Sequence, residues 1–574
     1  MRRWAPLLGL AALTAAMVLA FVFRPAIPPP RVVASTQVTK DGRGKDSMAT
    51  DGSRIYFSVT SGYLFSLHEV SLTGGAEAPI ETSIESPTVE DISPDHSELL
   101  IGNCKIPIEL QCPLFALPVL GQSARRLGGI EADGATWSHD GKEIVYANGH
   151  SVYRMRADGS EPVKIVSVAE GGGYPSWPRW APDGRRLRFT VSTGHGRESL
   201  WEVAADGSNL HPVLPGWSDP PTECCGSWTP NGKYFVFTSG RGGAQNLWAI
   251  REAPSMFYKA SKEPVQLTIG PTPNSLPLVS PDGKKVFVAT AQTRGEMVRY
   301  SSASHQFLPY LSGISAICVN FSPDGKWVAY SSYPDTTLWR SKIDGSEAVQ
   351  LTFPPMTVLQ PRWSPDGTRI AFMGSEPGKA FKVYVVPSSG GRVEEAMPGN
   401  HFGADPNWSP DGNELLIGRY ASEVAPGEPL NLQILNLRTH EMSKVPGSDD
   451  LWSPRWSGDG RYILAVRRDG GWLMLYDTAT QKWSPLVKMV VDWPEWSRKA
   501  DYIYFYGAEA GGGQGLFRVR VSDRKVELVF ALRDFRQPPD IGWGSWKGLA
   551  PDESPILLRD AGVQDIYALD VDFP

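Results

Sequence analysis

Cysteine is scarce, with five in 574 residues, which excludes a disulfide-stapled scaffold. Charge of one sign is also scarce. Lys and Arg number 56 against 62 Asp and Glu, a net charge of −6, so there is no basic surface of the kind that binds nucleic acid. No helical periodicity persists beyond residue 23. The usual signatures of catalysis are missing too. No Gly-x-Ser-x-Gly elbow, no phosphate-binding Gly-x-x-x-x-Gly-Lys-Ser/Thr loop and no His-x-x-x-His pair occurs, and the nine His are scattered. What remains is rich in turns and rings. Gly (58) and Pro (49) together make about a fifth of the chain, and 20 Trp contribute to an aromatic content of 10%, too much for a disordered chain.

Met1-Arg2-Arg3 precedes an uncharged run, Trp4 to Phe23. Twenty residues at the helical rise of 1.5 Å span the ~30 Å of a bilayer core. The expected organisation is a cytoplasmic stub (1–3), a transmembrane signal-anchor helix (4–23) and a stiff Pro-rich linker (24–31). A cleaved signal peptide is the alternative. Either reading exports the rest of the chain.

One phrase recurs through that remainder: an aromatic or apolar residue, Ser or Ala, Pro, Asp, Gly, then an apolar run. Clear copies start at Phe321, Trp363 and Trp408. Variants start at Trp137, Trp180, Trp228, Val279 and Trp456, and degraded copies at Met48, Ile92, Trp496 and Leu549, about 45 residues apart on average. Pro presets φ for a turn, Asp suits the next position and Gly takes the φ > 0 that follows, so the phrase joins two antiparallel strands. Two further short strands fit in each period. Four strands per period predict an all-β chain of about twelve propeller blades. Twelve exceed one ring, so two tandem six-bladed rings are expected, 32–315 and 316–574, with seven plus five as the alternative. The first segment, Val32 to Thr39, reads as a spare outer strand, and the last unit lacks one.

The repeat resembles the TolB-type, WD-like (PD40-type) β-propeller family, over roughly residues 32–574. The chain is also similar to bacterial membrane-anchored propeller proteins, many with a winged-helix DNA-binding domain before the transmembrane helix. Met1 lies close to the apolar run, so the DNA-binding function of those relatives does not carry over.

The repeated Asp reads as a turn residue, not a metal ligand; no metal or cofactor is expected. The segments before the motifs surround the channel of a propeller. They contain the candidate ligand-binding residues Arg179, Arg362 and Arg455, each one place before a motif Trp, with Glu223, His401 and Asp405. Arginine there suits an anionic group; pairing with carboxylates of neighbouring blades is the competing expectation. Cys104 and Cys112 flank a hairpin-like loop and form the candidate disulfide. Cys224 and Cys225 read as separate thiols or a redox site, and Cys318 as a packing residue. The expected function is a non-catalytic, membrane-anchored module of the bacterial envelope. It would be single-pass in the inner membrane with its propellers in the periplasm, binding a protein or peptide partner and no nucleic acid. A periplasmic glycan or small-molecule receptor and a propeller-channel hydrolase or lyase are the alternatives.

Overall fold

The recurring phrase closes its turn on itself. In the copy Trp363–Gly367, the Ser364 hydroxyl donates to Asp366 Oδ1 (2.5 Å), and the Thr368 N–H donates to the same oxygen (3.0 Å). The Gly367 N–H donates to the Ser364 carbonyl (2.9 Å) with φ +71° at Gly367. The Arg369 N–H then donates to Ser364 Oγ (2.9 Å) and starts the next strand. The same Ser-to-Asp bond recurs at Asp95, Asp140, Asp282, Asp324, Asp411 and Asp459. Three or more donors hold the Asp366 carboxyl down to about 2. The repeated Asp is a turn residue.

The computed structural model describes residues 27–61, 64–104, 111–121, 123–168, 173–193, 197–252, 263–377, 379–397, 403–419, 430–508, 514–532, 535–538 and 546–574. These form twelve four-stranded antiparallel sheets. One blade runs Thr357–Trp363, Arg369–Ser375, Lys382–Pro387, Glu394–Glu395, from first to fourth strand. Alternate side chains of each strand leave opposite faces and pack against the neighbouring blades. Ala329, Val358, Trp363, Ile370, Phe372 and Val386 make one such buried layer. No helix among the described residues is long and apolar enough to cross a membrane. The expected stub and anchor, residues 1–23, lie outside the described residues.

The chain divides into two units, 1–292 with 563–574, and 293–562. Each holds six sheets. In each, the first strands of the six sheets touch one another in a closed cycle, so each unit is a ring with those strands innermost. The division expected at residue 315 is therefore displaced. The chain leaves the first ring after its second strand of the closing blade, Lys285–Gln292, and enters the second ring as a third strand, Gly295–Ser301. It returns the same way. Pro555–Asp560 is a second strand of the second ring, and Val563–Asp572 is the third strand of the first. The N-terminal strand Arg31–Gln37 is the outer strand of that blade, paired from Arg31↔Asp572 to Gln37↔Tyr567. No local turn signal distinguishes this exchange from a split between whole blades, because each strand keeps antiparallel neighbours either way.

Candidate functional site

The innermost strands share a device beyond the turn phrase. Three places before the motif residue stands a non-glycine residue with positive φ: Gln360 (+50°), Asp405 (+52°), Ser453 (+50°) and Trp493 (+50°) in the second ring. Trp177, Cys225 and Leu276 repeat it in the first ring. In six of these seven the next residue is Pro. The strand register slips there, between Leu359 and Arg362, Ala404 and Asn407, Trp452 and Arg455, and Asp492 and Glu495. Pro lacks the N–H that a ladder needs and suits a bulge, and a left-handed non-glycine residue is strained backbone of the kind that collects at functional sites. Each bulge re-aims the residues beside it.

In the second ring these bulges converge on a small polar cavity. Arg362, Arg455, Glu495, Lys547, Gln360 and Cys318 line it, with Trp493 and Trp546. Arg455, only 2% exposed, places Nη1 2.7 Å from Asp405 Oδ2, and the Ser453 hydroxyl donates to that same oxygen at 2.9 Å. Arg362 places Nη1 3.1 Å from Glu495 Oε2, and Arg455 Nε lies 3.7 Å from it. Burial would weaken the Arg362 charge, but the Glu495 and Asp405 carboxylates hold its pKa above the ordinary value. Burial pushes the Lys547 amine down to about 8 and the Cys318 thiol up. The space left is ≈ 30 Å³. That admits one or two water-sized particles, at ~10–15 Å³ each, and not a ligand needing ~300–1,000 Å³.

Three of the residues singled out in the sequence, Arg362, Arg455 and Asp405, thus meet at one place. Arg362 and Arg455 both reach Glu495. Arg179 and Glu223 belong to the first ring. Arg179 donates to the carbonyls of Pro178 (2.9 Å) and Glu90 (3.4 Å) and stacks on Trp177. Glu223 accepts the Ser218 hydroxyl, and burial raises its carboxyl. His401 lies outside the described residues. Glu495 and Lys547 escaped notice in the sequence. Glu495 occupies the same repeat place as Arg362 and Arg455, one before a motif Trp, so a search by position instead of by residue type finds it. Cys104 and Cys112 are bridged, with Cα atoms 5.1 Å apart. The sulfurs of Cys224 and Cys225 are also in contact.

The first ring carries a different set. Asp46, Glu90 and Asp133 stand on or beside the innermost strands of three successive blades, close enough for Asp46 and Asp133 to raise Glu90. Burial pushes Glu90 up to about 7, and Asp46 and Asp133 each to about 6. Unfolded carboxyls titrate near ~4. The folded ring therefore binds more protons than the unfolded chain from ~pH 4 to 7, and this contribution to stability, full below ~pH 4, is lost as pH rises through 6–7. His68, held below its ordinary value by burial, works in the opposite sense. Subtracting the melting curve of Glu90→Gln from that of the wild type isolates Glu90. The wild type is expected to lose stability relative to the variant between pH 5 and 8. A difference independent of pH would overturn this assignment.

Residues 312–545 match the TolB beta propeller domain family, PD40. The uncharacterized protein Atu1656 of Agrobacterium fabrum is 26% identical over 295 residues, 49% of this chain and 97% of that protein. The uncharacterized peptidase YuxL of Bacillus subtilis is 24% identical over 26% of this chain and 29% of its own length. The Tol-Pal system protein TolB of Alcanivorax borkumensis is 30% identical over 16% of this chain and 20% of its own length. Residues 312–545 are thus similar to the TolB beta propeller domain, and the described residues form twelve four-stranded blades closed into two rings.

Proposed function

We propose that this protein is a membrane-anchored, extracytoplasmic module that recognises a protein partner in the bacterial envelope. One observation carries the reading: among the innermost strands of the second ring, the cavity beside the Arg362–Glu495 pair and Arg455 is only ≈ 30 Å³. A substrate pocket is an order of magnitude larger than this cavity, which favours recognition at the blade surfaces. The domain match to TolB and the uncharged segment 4–23 support the same reading. The partial match to the peptidase YuxL favours one alternative, a hydrolase.

Cross-linking and affinity capture of the full-length chain from envelope fractions separates the two. The expected result is one protein partner recovered in stoichiometric amount, with the chain retained in membranes after an alkaline wash and its N-terminus near Met1. Turnover of peptide substrates with no partner recovered would sink the binding reading. A mature N-terminus near Phe21 would replace the anchor with a cleaved signal peptide.

A further inference from the structure

We propose that Cys224 and Cys225 form a thiol–disulfide exchange site on the inner wall of the first ring, opened by a dithiol and closed again by a disulfide oxidant. The inference goes beyond partner recognition and does not depend on it.

The argument begins where one innermost strand departs from the pattern of its neighbours. Glu223–Trp228 slips register between Cys224 and Ser227, and Cys225 takes the positive φ of its repeat place, +55°. In the other six copies of this bulge the next residue is Pro, whose ring fixes the backbone. Here it is Gly226. A Cβ at Gly226 would lie 2.1 Å from the ring of Phe235, which is buried, so Pro cannot stand there. Glycine has the greatest backbone freedom of any residue, and a left-handed Cys beside it is not held by its own preference. The brace in this blade is the pair of sulfurs. Those of Cys224 and Cys225 are in contact, and their bond closes a small ring through the peptide between them.

The second argument is chemical. Neighbouring residues hold their Cα atoms about 3.8 Å apart, closer than the roughly 4.4–6.8 Å of ordinary disulfides, and a bond outside that range is more easily reduced. Here the separation is 3.7 Å, against 5.1 Å for Cys104 and Cys112. The third is access. Cys224 is 6% exposed and Cys225 half-buried, so an incoming thiolate meets the Cys225 sulfur. It attacks that sulfur, the Cys224–Cys225 bond breaks, and Cys224 leaves as a thiolate that takes up a proton. The second thiol of the reductant then attacks the mixed disulfide, releases Cys225 as a thiol and leaves as the oxidised disulfide. Two electrons and two protons have passed to the protein, and a disulfide oxidant reverses the sequence. The bulge loses its brace on reduction. That bulge holds the Cys225 N–H against Thr190 Oγ1 of the neighbouring blade (3.1 Å), and the Cys224 carbonyl accepts from the Thr238 hydroxyl (3.1 Å). Opening therefore loosens a contact between two blades.

The test uses the full-length protein, equilibrated at graded ratios of reduced to oxidised dithiothreitol, then alkylated and mapped by mass spectrometry. Cys224 and Cys225 are expected to become alkylated together, at a ratio about tenfold or more below the one that opens Cys104–Cys112. On return to the oxidised mixture they are expected to close again. Hydrogen exchange across residues 223–228 is expected to be about tenfold faster in the reduced protein. Cys225→Ser keeps the size of the side chain and removes the bond, so it is expected to show the fast exchange in both mixtures. The wild-type titration stands by itself if that variant does not fold. Free thiols at both positions in the oxidised mixture, opening only at or beyond the ratio that opens Cys104–Cys112, or hydrogen exchange unaffected by reduction would each overturn the proposal.

Discussion

A chain ending at Gly562 is expected to lose the first ring and keep the second. The missing strand, Val563–Asp572, is the third strand of the first ring's closing blade, paired with Lys285–Gln292 on one side and Arg31–Gln37 on the other. It buries Ile566, Leu569 and Val571. At about 1.5–3 kcal/mol for each large apolar side chain, that is roughly 5–9 kcal/mol, which compares with the whole stability of a typical domain, about 5–15 kcal/mol. The C-terminal carbonyl of Pro574 also accepts from Tyr234 and Arg251, a further tie to another blade. The second ring closes with Gly295–Ser301 and Pro555–Asp560, all of it retained. Calorimetry of the truncated chain is expected to show one melting transition near that of the intact second ring, with limited proteolysis confined to residues before 293.

Deleting 32–39 is expected to cost less. Its strand is an outer one, with Val33 58% exposed. What that deletion removes is mainly Val38, which is buried, and the Thr39 hydroxyl that donates to Asp565 Oδ1 (3.0 Å). It is still expected to cost more than deleting Pro25–Pro30. Equal melting of the two N-terminal deletions would remove the closing role of the first strand.

The second large effect is expected at Arg455. Arg455→Gln leaves Asp405 buried without its cation, and breaking a buried pair in this way costs roughly 3–5 kcal/mol. Arg455→Gln with Asp405→Asn removes both charges, and most of the loss is expected to return. Arg179→Gln is the control. Arg179 donates to two backbone carbonyls and stacks on the Trp177 ring, and its charge only partly offsets the burial that raises the Glu90 carboxyl to about 7, so a smaller loss, about 1 kcal/mol, is expected. Denaturant unfolding of the four proteins measures each value. If Arg455→Gln costs no more than Arg179→Gln, the pair does not hold the second ring together.

Which arginines mattered was only half legible. Their position, one place before a motif Trp, pointed at the channel, and Arg362, Arg455 and Asp405 are found together there. Their roles were not legible. Arg179 holds the same repeat position as Arg362, yet it meets backbone carbonyls where Arg362 meets Glu495. The difference comes from another blade, 133 residues away for Arg362, and no local pattern encodes it. Glu495 and Lys547 were missed for the same reason. A carboxylate and an amine in unremarkable repeats become functional candidates only when the ring closes around one cavity.

The sequence by itself determined the blade. Turn chemistry from Ser, Pro, Asp and Gly is local, and a strand's period of two is written in adjacent residues, so blade number and the all-β class followed from the repeat. Tertiary structure alone decided which strands complete which ring. Antiparallel pairing satisfies the backbone equally whether Gly295–Ser301 stays with the strand before it or crosses to Pro555–Asp560. The choice rests on packing between strands more than 250 residues apart, where burial in a closed ring outweighs anything that neighbouring residues can specify.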